Sequence, residues 1–193
     1  MKRFILASAS PRRKEILENA GFEFDIIVSD VDENITEDLS PSETVEELAK
    51  RKALAVWEEN KDAVVFGCDT VVAIDGKILG KPIDDEEAFA MISSLSGKVH
   101  TVSTGVCICS ADKISVFSNN TEVEFYPLSD ETIRSYIATG EGKDKAGSYG
   151  IQGLGSVLIK EIKGDYFSVM GLPVAESSRV LADFGIYGKV AVN

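Results

Sequence analysis

Apolar and polar positions along the chain switch between two periods, and the switches mark its elements. Phe4-Ile5-Leu6 is an unbroken apolar run, as in a strand buried on both faces. Ser10-Pro11 follows, a helix N-cap with proline at the first helical position. The predicted helix turns Ile16, Leu17 and Ala20 inward and stops at Gly21. Phe24 to Val28 reads as a second strand, followed by the acidic segment Ser29-Asp30-Val31-Asp32-Glu33. Ser40-Pro41-Ser42-Glu43 is a capping box, so a helix should run to about Trp57 with Val45, Leu48, Ala49 and Val56 as its apolar stripe.

The second half continues the alternation. Ala63 to Cys68 is a compact buried strand ending in Asp69-Thr70, and β structure resumes over Val71 to Ile74. Asp75-Gly76 then turns the chain back through Lys77-Ile78-Leu79 as a hairpin. Asp84, with Glu87 three residues on, caps a helix that buries Ala88, Met91, Ile92 and Leu95 and closes at Gly97. Two long strands come next, Val99 to Cys109 and Ile114 to Phe125, and Ser129 caps a short helix carrying Ile133, Tyr136 and Ile137. Ser156 to Ile162 reads as a strand, Gly164-Asp165 as a turn, and Gly171-Leu172-Pro173 as the entry to a last helix through about Phe184. Strands and helices alternate around an inserted antiparallel pair, which predicts a mixed-sheet α/β fold in a single domain spanning 1–193.

Composition narrows the function. An apolar fraction of 44% with 27% charged residues is ordinary for a globular enzyme. No apolar run reaches the length of a membrane span, and the start lacks a signal peptide's long apolar stretch and small-residue cleavage site, so neither a span nor a leader is expected. The formal net charge of −12 argues against a nucleic-acid polymer as partner, because its phosphates would be repelled. A small anion in a local basic pocket is compatible with that charge. Cys68, Cys107 and Cys109 form no zinc spacing and read as small core residues. His100 lies within a predicted long strand and reads as structural.

A few polar residues sit where an ordinary domain would place something else. Arg12 and Arg13 fall in the first turn of a helix, the end that disfavours cations and attracts anions. They are either solvated surface residues or half of a phosphate site. Lys52 falls at the centre of its helix's apolar stripe, so it either snorkels along the core edge or meets an anion. Asp69 is placed at the end of a buried strand, where α/β active sites gather, and Lys81 follows the hairpin. Glu33 and its acidic neighbours can supply oxygen ligands to Mg²⁺. From Gly140 to Gly155 the chain is rich in glycine around Asp144, Lys145, Tyr149 and Gln152, which suggests a backbone shaped for a tight turn or a close ligand. Cations, a metal site and a carboxylate base are what hydrolysis of a nucleoside triphosphate needs. No P-loop, GxGxxG or Ser-His-Asp arrangement is present.

Five strings carry a specific resemblance: Leu6-Ala7-Ser8-Ala9-Ser10-Pro11-Arg12-Arg13, Gly67-Cys68-Asp69-Thr70-Val71-Val72, Gly80-Lys81-Pro82, Asp144 to Gly153, and Gly164-Asp165-Tyr166 with Gly171-Leu172-Pro173. In that order, and over nearly the whole chain, they resemble the Maf family. The resemblance implies a two-lobed, ITPase-like mixed sheet flanked by helices with the site in its cleft. It further implies a cytoplasmic nucleoside triphosphate pyrophosphatase, without nucleic-acid or membrane partners, that forms a homodimer and uses Mg²⁺ or Mn²⁺. Asp69 matches the family's proton acceptor, while Ser8, Arg12, Arg13, Glu33, Lys52 and Lys81 match phosphate- or metal-side positions, with Glu33 and Asp69 as the metal pair. Arg12, Thr70 and Gln152 match the base-selecting positions of the dTTP/UTP subfamily. The resemblance also leaves open a regulatory role in septum formation and cell division, exercised by binding rather than hydrolysis. The chain departs from the family pattern at Cys68, at Gly142-Lys143 and at Ser168, and none of these removes a residue assigned to chemistry.

Overall fold

In the computed structural model, residues 2–35 and 38–192 are described, and Met1, Thr36, Glu37 and Asn193 lie outside them. The elements run β1 (Arg3–Leu6), α1 (Pro11–Asn19), β2 (Asp25–Ile26), α2 (Pro41–Glu58), β3 (Ala63–Ile74), β4 (Lys77–Leu79), α3 (Asp85–Leu95), β5 (Val99–Cys109), β6 (Ile114–Phe125), α4 (Asp130–Ala138), β7 (Ile159–Lys163), α5 (Tyr166–Met170) and α6 (Val174–Asp183). The seven strands form one sheet in the order β2-β1-β3-β5-β6-β7, with β4 paired to β3. β1 runs parallel to β2 and β3, with Ile5 opposite Asp25 and Val65. β4 is antiparallel to β3, and β7 is antiparallel to β6. The sheet is therefore mixed, as the element order predicts. Among the described residues no helix is long and apolar enough to cross a membrane.

The chain divides into two compact units, one of Met1–Asp69, Thr104–Asn119 and Gly171–Asn193, the other of Thr70–Ser103 and Asn120–Met170. In the first, Ile5, Ala7, Val65, Cys107 and Cys109 pack against Ala49, Ala53 and Val56 of α2. The cysteines are thus core residues, as read. In the second, Val72, Ile92, Leu95, Phe125, Ile133, Tyr149 and Leu158 form the core. His100 is buried there, its Nε2 2.7 Å from the Tyr149 hydroxyl and its ring edge-on to Phe125 and Tyr149.

The N-terminal signals of α1, α2, α3 and α4 act as predicted, with Ser10, Ser40, Asp84 and Ser129 each accepting a backbone N–H from the first turn. Four expectations need correction. β2 is two exposed residues rather than Phe24 to Val28, since only Asp25 and Ile26 pair with β1, while Phe24 packs its ring T-shaped with Phe4. β3 is one strand of 12 residues, so Asp69 lies in its interior and not at its end. Asp is unfavourable in strands, and here a bound lysine offsets its cost. The predicted strand from Ser156 begins only at Ile159, because Gly153–Leu158 forms a 3₁₀ turn whose backbone bonds elsewhere. α5 carried no predicted helix; its first turn forms where the Asp165 carboxylate accepts the Phe167 N–H at 2.8 Å.

Candidate active site

The first unit gathers Ser8, Arg13, Glu33, Lys52 and Asp69. The gathering depends on how closely α2 lies on the sheet. A Cβ on Gly67 would stand 2.3 Å from the Ala49 carbonyl oxygen, and one on Gly105 would stand 2.3 Å from that of Val45. Glycine in strands β3 and β5 therefore lets α2 approach backbone to backbone. That approach carries Lys52 to β3. Its Nζ lies 2.6 Å from Asp69 Oδ1 and 2.8 Å from Glu33 Oε1. The Lys52 and Asp69 side chains are each 12% exposed, whereas Glu33 is 58% exposed. The inward lysine has met its anions.

Arg51, one residue before, grips the same acidic segment by its backbone. Its Nη1 donates to the carbonyls of Asn34 at 3.0 Å and Asp32 at 3.4 Å, while its Nε pairs with Glu47 at 2.8 Å. Asp32 Oδ1 accepts the Asn34 backbone N–H at 2.9 Å, closing an Asx turn around Glu33. Arg51 was missed by the sequence reading; its partners are main-chain carbonyls, which leave no side-chain signature.

At the N-terminus of α1, Arg13 is held in place by the fold. Its Nε donates to the Gly171 carbonyl at 2.9 Å, and its Nη1 donates to the Cys68 carbonyl at 2.8 Å and to Ser8 Oγ at 3.2 Å. The guanidinium thus ties α1 to β3 and to the segment entering α6. Ser8 Oγ also accepts the Ser10 N–H at 3.2 Å, which occupies both of its lone pairs and leaves its own O–H as a donor. Arg12, half-buried, stands in the same first turn. Burial pushes the Cys68 thiol up to about 11, and it donates to the Gly171 carbonyl at 3.0 Å rather than serving as a nucleophile.

The second unit holds Thr70, Lys81 and Gln152. Thr70 follows Asp69 on β3, half-buried. Lys81 is exposed just beyond β4, and the Gly147 N–H donates to the Gly80 carbonyl at 3.0 Å, joining the lysine's segment to the glycine-rich loop. Gln152 is half-buried at the head of the 3₁₀ turn. Among the described residues no group of three or more His, Cys, Asp or Glu gathers as a metal cage. Glu33 and Asp69 are a smaller donor set, two hard carboxylates already converging on one cation.

A mixed α/β sheet, arginines at a helix N-terminus and a strand carboxylate bridged to a second by lysine are the groups that a site for a small anionic substrate would use. The fold is similar to that of the Ham1 protein of Staphylococcus aureus, with a TM-score of 0.52 over 82% of this chain and 80% of that one at 17% identity. The chain belongs to the Maf family, since residues 3–184 match the model described as Maf-like protein. It is 54% identical to the dTTP/UTP pyrophosphatase of Bacillus pumilus (strain SAFR-032) over 96% of this chain and 98% of that one. It is 53% identical to the protein of the same name from Bacillus cereus (strain ATCC 10987 / NRS 248), over 96% of this chain and 92% of that one.

Proposed function

We propose that the protein is a nucleoside triphosphate pyrophosphatase that converts dTTP and UTP to the monophosphate and pyrophosphate. The carrying observation is the Lys52 bridge between Asp69 and Glu33, in a chain 54% identical to a relative named for that reaction. With Oδ1 engaged by Lys52, the second carboxylate oxygen of Asp69 takes a proton from water. The water oxygen bonds to the α-phosphorus as the bond from that phosphorus to the bridging oxygen breaks, and pyrophosphate leaves. Arg12 and Arg13 neutralise the triphosphate at the positive end of α1, and the Ser8 hydroxyl donates to a phosphate oxygen. Lys52 and Lys81 stabilise the charge on the leaving pyrophosphate.

Base choice is assigned to Arg12, Thr70 and Gln152 on the family resemblance. The Gln152 amide donates and accepts at once, which suits the O4 and N3–H edge of uracil or thymine. Glu33 and Asp69 fit a divalent cation, Mg²⁺ or Mn²⁺, which binds through one or two carboxylates together with substrate phosphates. When bound it neutralises phosphate oxygens. A cytoplasmic setting and a homodimer belong to this reading on the resemblance alone.

The test is pyrophosphate release across the common ribo- and deoxyribonucleoside triphosphates, with and without Mg²⁺. The intact protein should favour dTTP and UTP, and Asp69→Asn should lower their turnover by about 10²-fold or more. Near-full turnover by Asp69→Asn would sink the assignment.

A further inference from the structure

The glycine-rich loop is held by a carboxylate that the proposed chemistry does not use. Glu141 follows α4, and its Oε2 accepts the Leu154 N–H at 2.8 Å while its Oε1 accepts the Gly155 N–H at 2.8 Å. The Tyr136 hydroxyl donates to the same Oε1 at 3.1 Å and accepts the Gly150 N–H at 3.1 Å. Gly153 has φ +66, and a Cβ there would lie 2.5 Å from Glu141 Oε2, so the loop closes tightly on the carboxylate. These bonds fall two residues before Gln152 and two and three residues after it.

We infer that Glu141, acting with Tyr136, is the positioning residue for Gln152 and thereby sets the pyrimidine preference of the site. The inference rests on the reading that Gln152 selects the base. Adjacent backbone N–H groups form an anion-binding nest, and here the protein fills it with its own carboxylate. Burial works to raise the Glu141 carboxyl, but the Leu154 and Gly155 N–H groups, the Tyr136 hydroxyl and the Lys145 charge outweigh it and hold it below the ordinary value. Three donors converge on Glu141, and an acceptor-only group satisfies all of them. A glutamine there would set its NH₂ against at least one N–H. The pair holds both flanks of Gln152 without occupying its side chain, so the loop is ready before a base arrives.

The experiment compares wild type, Glu141→Gln, Tyr136→Phe and Gln152→Ala. Each is measured for kcat and KM with dTTP, UTP and dGTP, for thermal stability, and for amide hydrogen exchange. Glu141→Gln should raise KM for dTTP and UTP about tenfold, with kcat changed less than about threefold. Its preference for pyrimidine over dGTP should fall toward that of Gln152→Ala. Tyr136→Phe, which loses one donor to the carboxylate, should fall between wild type and Glu141→Gln. The Leu154 and Gly155 amides should lose about tenfold or more of their exchange protection in Glu141→Gln while strand β3 keeps its own. If Gln152→Ala shifts the preference and a folded Glu141→Gln does not, the inference is overturned while the functional reading stands. If Leu154 and Gly155 stay protected in Glu141→Gln, it is overturned without reference to activity. If wild type releases no pyrophosphate from any of these nucleotides, or Gln152→Ala leaves the preference intact, the underlying reading fails first and the inference with it.

Discussion

Lys52 shows how one side chain acquires its role from its surroundings. Its ammonium lies within 2.8 Å of two carboxylates, and its partner Asp69 is as enclosed as itself. Removing the lysine strands a half-desolvated charge, which costs more than the bond alone is worth. Lys52→Met should therefore lower stability by about 1–3 kcal/mol in urea denaturation. Adding Asp69→Asn should return part of that loss, because the stranded charge is gone. Strictly additive effects in the four-protein cycle would show that the two groups do not interact. The lysine's inward aim was legible from helical spacing. Its partners were not, because Glu33 and Asp69 lie 19 and 17 residues away on separate segments, and pairing across the fold has no local signal. Arg13 teaches the same, since it donates to the carbonyls of Cys68 and Gly171, 55 and 158 residues away.

Helix α2 is the element that brings Lys52 to Glu33 and Asp69. Its start was readable because a capping box is local chemistry, with Ser40 and Glu43 each bonding the other's backbone N–H. Its depth on the sheet was not readable, because that depends on two glycines in strands β3 and β5 that look unremarkable in sequence. A methyl group at Gly67 would meet the Ala49 carbonyl at 2.3 Å and the Ala53 nitrogen at 2.7 Å, backbone that cannot give way cheaply. Gly67→Ala should cost at least about 2 kcal/mol in stability and displace Lys52 from Asp69, lowering pyrophosphate release. Gly80→Ala is the matched control for stability, since a Cβ there meets nothing within 4 Å. Equal midpoints for the two variants would show that α2 does not depend on that contact. The 3₁₀ turn before β7 is the converse case. Ser156 to Ile162 has the composition of a strand, yet its first three residues close the Gly153–Leu158 3₁₀ turn, whose Leu154 and Gly155 N–H groups bond Glu141, and the ladder starts at Ile159.

Global stability should carry the mark of the chain's single histidine. Burial pushes His100 down to about 4 from an ordinary value of 6.5, and its Nδ1 has no hydrogen-bond partner among the described residues. Its Nε2 meets the Tyr149 hydroxyl, whose own pKa burial raises, so neither group of the pair is charged near neutrality. As pH falls below 6.5 the unfolded chain binds a proton that the folded protein refuses until about 4. Stability is therefore fully present above 6.5 and is lost progressively as pH falls toward 4. The contribution amounts to about 2 kcal/mol between pH 7 and pH 5. Denaturant melts at both pH values should show that loss in wild type and a smaller one in His100→Gln. Identical pH dependence in the two proteins would remove His100 as its source. The carboxylates titrate in both proteins alike and cancel in the comparison.

Sequence was sufficient for whatever neighbouring residues settle among themselves. Caps, the Asp75-Gly76 turn, the long strands β5 and β6 and the α/β class all rest on short-range sterics, hydrogen bonds and apolar period, whereas the candidate site residues were named in part by the family resemblance. Folding had to supply what depends on distance in space. Asp69 inside β3 is met by Lys52 from α2, Arg13 is fixed by carbonyls from far along the chain, and Gln152 stands in a loop shaped by Glu141. A side chain's type is written in the chain, but the charge, acceptor or backbone it will meet is chosen by packing.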